Sequence, residues 1–244
     1  MFVFTFSTTP EQVYVSNEPL SAIVGNFLDG RRPLKILEAG CGSMGHVSYD
    51  NDAYIVGIDI SQVQLDRNPI LKERILGDIE DYPLPESTFD LIICWDVLEH
   101  LKHPDRALRN FARTVNEGGI ILLASPNVMT VRGLLTKFTP HWVHVLYYKR
   151  VVGLKDAGKP GHYPFKAYHR FSMTPFAITR FGKKHNLQVE ACWYTSWEHP
   201  ENSIPLFNLV WSPLNRAINL ITFGAIGTDK KQGFQLMLRK KSTE

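Results

Sequence analysis

KILEAGCGSMG occupies residues 35–45, an apolar run that breaks into glycines at Gly40, Gly42 and Gly45. Residues 40–45 spell GxGxxG, and Asp59 stands nineteen residues beyond Gly40, the layout of a dinucleotide-binding fingerprint. That fingerprint seats a pyrophosphate on the N-terminus of a full helix. Only eight residues separate Gly45 from Tyr54, and SYDND within them is turn-like, which leaves little room for such a helix. A nicotinamide oxidoreductase is therefore disfavoured. The neighbouring acids point the same way: Glu38 precedes the glycines, and Asp59, Asp78 and Asp96 each follow a later apolar run.

Those runs span 34–39, 54–58, 73–76 (the weakest), 89–95 and 118–125. Each is too short for a helix and almost continuously apolar, as expected of strands buried on both faces. Between the last two lies HPDRALRNFARTVNEGG, where Ala107, Leu108, Phe111, Ala112 and Val115 form one helical face and Gly118–Gly119 is the expected stop. Strand and helix alternate, so the spacing predicts a doubly wound, mostly parallel sheet with right-handed crossovers. The carboxyl ends of such strands face one crevice. Four carboxylates there would repel a diphosphate and suit a cation that also carries ribose hydroxyls and an exocyclic amine. S-adenosylmethionine has those features and no phosphate.

The remaining chain divides by pattern. Residues 17–28 have helical spacing, so residues 1–30 are expected to form an N-terminal helical cap. Residues 126–173 lose their period and fill with aromatics, histidines, prolines and glycines, the pattern of an inserted lid. Thr174–Pro175 restarts a helix that runs to about His185, followed by the strand LQVEACWY. Residues 200–228 form a further apolar insertion, read as packing or a dimer interface, or as a surface at 203–227 that touches lipid or an apolar substrate. GFQLMLRK closes the sheet. The whole chain, 1–244, reads as one domain.

Composition is that of a globular protein, 44% hydrophobic and 21% charged, with a net charge of +3. No block of like charges argues for nucleic acid. Cys41, Cys94 and Cys192 are far apart without CxxC or zinc spacing, so no metal is expected and a reducing compartment fits. The start MFVFTFSTTP lacks a basic region and a full apolar core for export, and no apolar stretch is long enough to span a bilayer. A cytoplasmic location, with contact at a membrane surface as a variant, follows.

ILEAGCG, IVGIDIS, GDIEDYPLPESTFDLIICWDVLEHLKHP and NEGGIILLASPN follow one another over residues 34–125. In that order they resemble the motifs of class I S-adenosylmethionine-dependent methyltransferases, of the small-molecule kind similar to type 11 methyltransferases. The resemblance implies a Rossmann-like, seven-stranded sheet with S-adenosyl-L-methionine as cofactor and S-adenosyl-L-homocysteine as product. It places Glu38 near the methionine amino group and the Gly40, Cys41 and Gly42 backbone along the cofactor. Asp59 would accept the ribose hydroxyls, Ile60 would pack on adenine, Asp78 would accept the adenine amine, and Ile79 would add a backbone contact. Trp95 and Asp96 would lie under the methionine part and the donor methyl. The short stretch after Gly45 departs from the family pattern.

Methyl transfer is an in-line displacement that depends on alignment, and a base is needed only where the acceptor must lose a proton. His169 in YHRFS is the first candidate base and His100 the second, while His162 is a lesser one. Arg170, Tyr168, His141, His144 and Trp142 are candidate substrate contacts, Arg170 as a clamp for an acidic acceptor. Trp142, Tyr147, Tyr148, Tyr163, Phe165 and Tyr168 suggest an aromatic pocket wall or a lid core. WDVLEH lacks the Asn/Asp, double proline and aromatic with which nucleic-acid amine methyltransferases hold a base, so no nucleic-acid partner is expected. A small-molecule acceptor, natural-product, quinone or lipid-like, is favoured, with oxygen slightly ahead of nitrogen. A catalytically inactive cofactor-binding partner subunit is the rival.

Overall fold

The computed structural model describes residues 4–7, 14–16, 33–45, 52–159, 162, 164–196 and 205–242, with 4–7, 14–16, 205–208 and 229 described by backbone only. Five parallel strands form the centre: β3 (Lys35–Ala39), β4 (Tyr54–Asp59), β5 (Glu73–Leu76), β6 (Phe89–Trp95) and β7 (Val115–Pro126). β9 (Gly233–Lys240) inserts antiparallel between β7 and β8 (Leu187–Thr195). This is the expected seven-stranded, Rossmann-like sheet. Two strands not foreseen, β1 (Phe4–Ser7) and β2 (Tyr14–Ser16), extend it antiparallel beyond β8. The order is therefore β2-β1-β8-β9-β7-β6-β3-β4-β5. The helix expected at 17–28, and with it most of the 1–30 cap, lies outside the described residues.

Alternation along the strands splits the core in two. On one face Leu37, Ile58, Ile92 and Leu123 pack with Leu108 and Phe111 of α2 (Pro104–Thr114) and Ile178 of α5 (Pro175–Lys184). On the other, Ile36, Ile55, Ile93 and Leu122 pack with Leu65 of α1 (Gln62–Arg67) and with Trp193. Both faces are covered, which explains why the central runs are continuously apolar.

α2 ends at Thr114, and Val115, expected on its apolar face, is instead the first residue of β7, opposite Phe89. β-branched Val115 prefers the pleated strand. The Gly118–Gly119 pair, expected to stop the helix, lies inside the strand, with Gly118 at φ +70° and a register shift between Phe89 and Leu91 on β6. The expected irregular lid contains two helices, α3 (Val131–Phe138) and α4 (His141–Arg150), neither of which buries a residue. The apolar insertion is a helix, α6 (Pro205–Ile221), which runs through Pro213. Among the described residues no helix is long and apolar enough to cross a membrane.

Candidate active site

Strand register brings the chemistry together. Ala39 pairs with Ile58 on one side and Cys94 on the other, and Asp59 pairs with Leu76. Glu38, Asp59, Asp78 and Asp96 therefore leave four neighbouring strands at the same carboxyl edge. Gly40 and Gly42 turn the chain away from that edge with φ of +69° and +51°, which side chains rarely tolerate. A Cβ on Gly40 would also stand 2.4 Å from Val97, whereas nothing lies within 4 Å of one on Gly42. The loop backbone at Gly42 thus presents an unobstructed surface, and Ile60, 77% exposed, stands close by in sequence after Asp59.

Asp59 ties the loop in place. Its carboxylate accepts the Gly42 N–H at 3.0 Å and the Ser61 N–H at 2.8 Å, leaving lone pairs for a diol. Asn68, fully buried, grips the same loop from behind by donating from Nδ2 to the carbonyls of Cys41 at 3.2 Å and Gly42 at 3.3 Å. The Arg74 guanidinium donates in turn to the Asn68 carbonyl at 2.9 Å. Cys41 contributes backbone only: burial, then the charges of Asp59 and Glu38, push its buried thiol up to about 12. Cys94 is raised as well, first by burial and then by Glu99, Asp96 and Glu38. Both thiols feel one concentrated negative field at this edge. Asp78 is exposed and caps its own turn through the Glu80 N–H at 2.9 Å, while Ile79 is buried beneath it.

A second cluster sits over the end of β6. Asp96 and His169 are two of five non-glycine residues with positive φ among those described, at +51° and +43°. Such strained positions collect at functional sites. The segment 165–170 is pinned to the turn at Leu98–His100: the Glu99 carbonyl accepts from the Tyr168 N–H at 2.7 Å, and His100 Nδ1 donates to the Lys166 carbonyl at 2.8 Å. The other ring nitrogen, Nε2, lies 3.8 Å from Glu99 Oε1. The Glu99 carboxyl is buried and accepts from Ser125 Oγ at 3.2 Å; burial, then the charge of Asp96, raises it to about 8. His169 is buried, and burial, followed by the charges of His100, His144 and Lys137, lowers its imidazole to about 4. Lys137 of α3 also donates to the His169 carbonyl at 3.0 Å.

The structure thus groups His100, His144 and His169 and attaches His141 through a ring contact to His144, with centroids 6.2 Å apart. His144 Nε2 meets Thr139 Oγ1 at 2.6 Å, and burial lowers its pKa. His141 keeps a buried Nδ1 without a hydrogen-bond partner among the described residues. Trp142 is 66% exposed, and Arg170, also exposed, lies over the Tyr168 ring, as does a second cation, Lys166. Of the expected aromatic wall, Phe165 meets His100 edge-on, Tyr147 and Tyr148 contact each other, and Tyr163 lies outside the described residues. His162 is exposed. Sequence reasoning missed Asn68 and Glu99. An acid adjacent to His100 was the available signal for Glu99, whereas only the folded loop identifies Asn68.

A methyltransferase domain family matches residues 14–191. The chain belongs to the S-adenosylmethionine-dependent methyltransferases. Its cofactor is S-adenosyl-L-methionine, and the acidic strand edge, the accessible Gly42 backbone and the remaining acceptor sites of Asp59 fit that sulfonium nucleoside. The methyltransferase is 32% identical over 110 residues to the mitochondrial ubiquinone biosynthesis O-methyltransferase of Candida albicans, covering 38% of this chain and 33% of that protein. It is 29% identical over 107 residues to ajmaline N-methyltransferase of Rauvolfia serpentina, covering 39% and 37%. The chain spans less than half the length of the curated relatives it matches first. A SAM-dependent methyltransferase structure from Methanosarcina mazei shares the fold, with TM-score 0.54 and 18% identity over 93% of this chain and all of that one.

Proposed function

We propose that this methyltransferase transfers the methyl group of S-adenosylmethionine to a small-molecule acceptor, with oxygen favoured over nitrogen as the receiving atom. The observation that carries this reading is buried, neutral His169, whose backbone N–H reaches the Glu99 carbonyl at 3.4 Å in the turn that follows β6 and Asp96. When bound, the cofactor supplies an electrophilic methyl on a sulfonium. Asp59 would hold the ribose hydroxyls, Asp78 the adenine amine and Glu38 the methionine amino group, while Ile60 would cover the ring. Trp95 and Asp96 would lie under the methionine part. The role of these residues would be alignment, which supplies much of the rate of an in-line displacement.

His169 receives the acceptor's proton at its ring nitrogen. With a pKa of about 4 it is unprotonated at neutral pH but a weak base, which suits an acidic hydroxyl of the phenol type better than an alcohol. The two relatives named above act, by their names, in O- and N-methylation of small molecules, which supports the acceptor class and leaves the atom to chemistry. His100 orients the 165–170 segment through the Lys166 carbonyl. His141 and His144 line the same cluster, and Tyr168 and Arg170 stand at its outer rim.

Calorimetry with S-adenosylhomocysteine and with NADH tests the cofactor, and a screen of acceptors with labelled methyl donor locates the product methyl. Tight S-adenosylhomocysteine binding with label on a phenolic oxygen is expected. Tight NADH binding without S-adenosylhomocysteine binding would overturn the reading. Cofactor binding with no turnover on any acceptor, and a copurifying chain, would favour an inactive partner subunit.

A further inference from the structure

The helix α6 is amphipathic in the wrong direction for a helix that packs only by its apolar side. At 3.6 residues per turn, Leu209, Val210, Leu214, Leu220 and Ile221 fall within an arc of about 140°, and all five are exposed, Leu220 to 78% and Ile221 to 74%. Phe223, just past the helix end, is 98% exposed. The buried position opposite is Asn215, whose side-chain nitrogen and oxygen both lack a hydrogen-bond partner among the described residues. A contiguous apolar face of this kind marks an interaction surface.

Helix α3 continues it. Leu135 and Phe138 of α3 are exposed, and together with Leu134 and Ile218 they line an open, wholly apolar cavity of about 220 Å³ between α3 and α6. Arg132 of α3 lies over the Trp211 ring of α6 at 4.7 Å, which couples the two helices.

Charge decides what covers this face. The net charge of +3 conceals a segregation: residues 127–173 contain eight lysines and arginines against one acid, Asp156, and residues 202–228 contain Arg216 and no acid. These two segments carry +8, so the rest of the chain carries −5. The two helices that form the face carry Arg132, Lys137 and Arg216 and no acid, so a symmetric pair of copies meeting through it would bring like charges together, whereas an anionic bilayer would neutralise them. α6, about 25 Å long and interrupted by Pro213, suits a position in the plane of the interface, and no helix described here is fit to span.

We infer that the face formed by α3, α6 and the basic segment 127–173 docks the protein on an anionic phospholipid bilayer. Apolar side chains of α6 enter the headgroup boundary and the surrounding cations contact lipid phosphates. Through Lys137, the docked helix α3 also holds the His169 carbonyl. On the acceptor reading above, an apolar acceptor dissolved in the bilayer therefore reaches the crevice from the side where the membrane lies.

The test is cosedimentation of the purified full chain with phosphatidylcholine vesicles that contain or lack phosphatidylglycerol. Binding at least about tenfold tighter to the anionic vesicles is expected from several interfacial cations, with release at high salt. The triple variant Leu209→Ser, Leu220→Ser, Ile221→Ser should lose about tenfold or more of that binding while its melting temperature and S-adenosylhomocysteine affinity stay unchanged. Pelleting that ignores the vesicles, or vesicle binding that ignores the triple substitution, would overturn the inference. So would a wild-type dimer in light scattering that the triple variant dissociates, since a second copy would then cover the face. Because vesicle binding is read without turnover and without cofactor, its failure leaves the methyl-transfer reading standing, and the reverse also holds.

Discussion

Asp59 carries two duties, and they separate under mutation. It braces the glycine loop through Gly42 and Ser61, and in the function proposed above its remaining lone pairs would hold the ribose. Asp59→Ala should therefore weaken S-adenosylhomocysteine binding by about 1 to 3 kcal/mol, the cost of losing hydrogen bonds to a charged acceptor. Unchanged affinity in a folded variant, measured by calorimetry, would remove it from the ribose. His169 behaves oppositely. His169→Ala should lower kcat by about 100-fold with little change in cofactor affinity, and wild-type kcat should show no step near pH 6.5, because the imidazole titrates at about 4. Full activity of the variant on a hydroxyl acceptor would remove His169 as base. The sequence marks both residues as candidates because a strand-end acid and a histidine before a capped helix are local signals. Asn68 and Glu99 were not, since their roles arise from contacts with Cys41, 27 positions away, and Ser125, 26 positions away.

At the scale of elements, legibility followed the direction of the apolar face. β3, β4, β6 and α2 point their apolar residues into the core, so periodicity identified them. The helices of segments 126–173 and 200–228 do not. α3 and α4 bury no residue, and α6 turns an apolar arc outward. Periodicity that assumes an inward stripe reads such segments as irregular. With little core burial to hold it, α3 depends on its ends. Thr130 Oγ1 accepts the Gly133 N–H at 3.0 Å and donates to the Asn127 carbonyl at 3.0 Å, an N-cap fixed to the β7 exit. Thr130→Ala should cost about 1 kcal/mol, lowering the melting temperature by roughly 2 to 4 °C. Hydrogen exchange should show the loss concentrated in α3 and spare β3 to β7. A melting temperature and exchange pattern identical to wild type would mean that the cap contributes nothing.

For the whole molecule, Glu99 and His169, joined by the His169 N–H to the Glu99 carbonyl at 3.4 Å, are two buried titratable groups that make global stability depend on pH in two opposed ways. Glu99 has its folded pKa raised from 4.5 to about 8, so its native form holds a proton that the unfolded chain releases. The stability it contributes is complete below pH 4.5 and is lost as pH rises through 8. His169 is lowered from 6.5 to about 4, so its contribution is complete above pH 6.5 and is lost as pH falls through 4. The two effects offset one another between pH 4.5 and 6.5. Above 6.5 only Glu99 of this pair still acts. From pH 6.5 to 9 the melting temperature should therefore fall by roughly 4 to 8 °C, since about 1.5 pH units of the Glu99 shift, or about 2 kcal/mol, remain to be lost. Glu99→Gln keeps the shape and the acceptor for Ser125 Oγ while removing the ionisation, and should flatten that limb. Its acid limb, set by His169, should persist, whereas His169→Ala should flatten the acid limb alone. If Glu99→Gln melts with the wild-type slope between pH 6.5 and 9, the buried carboxyl is not what couples this site to the stability of the fold.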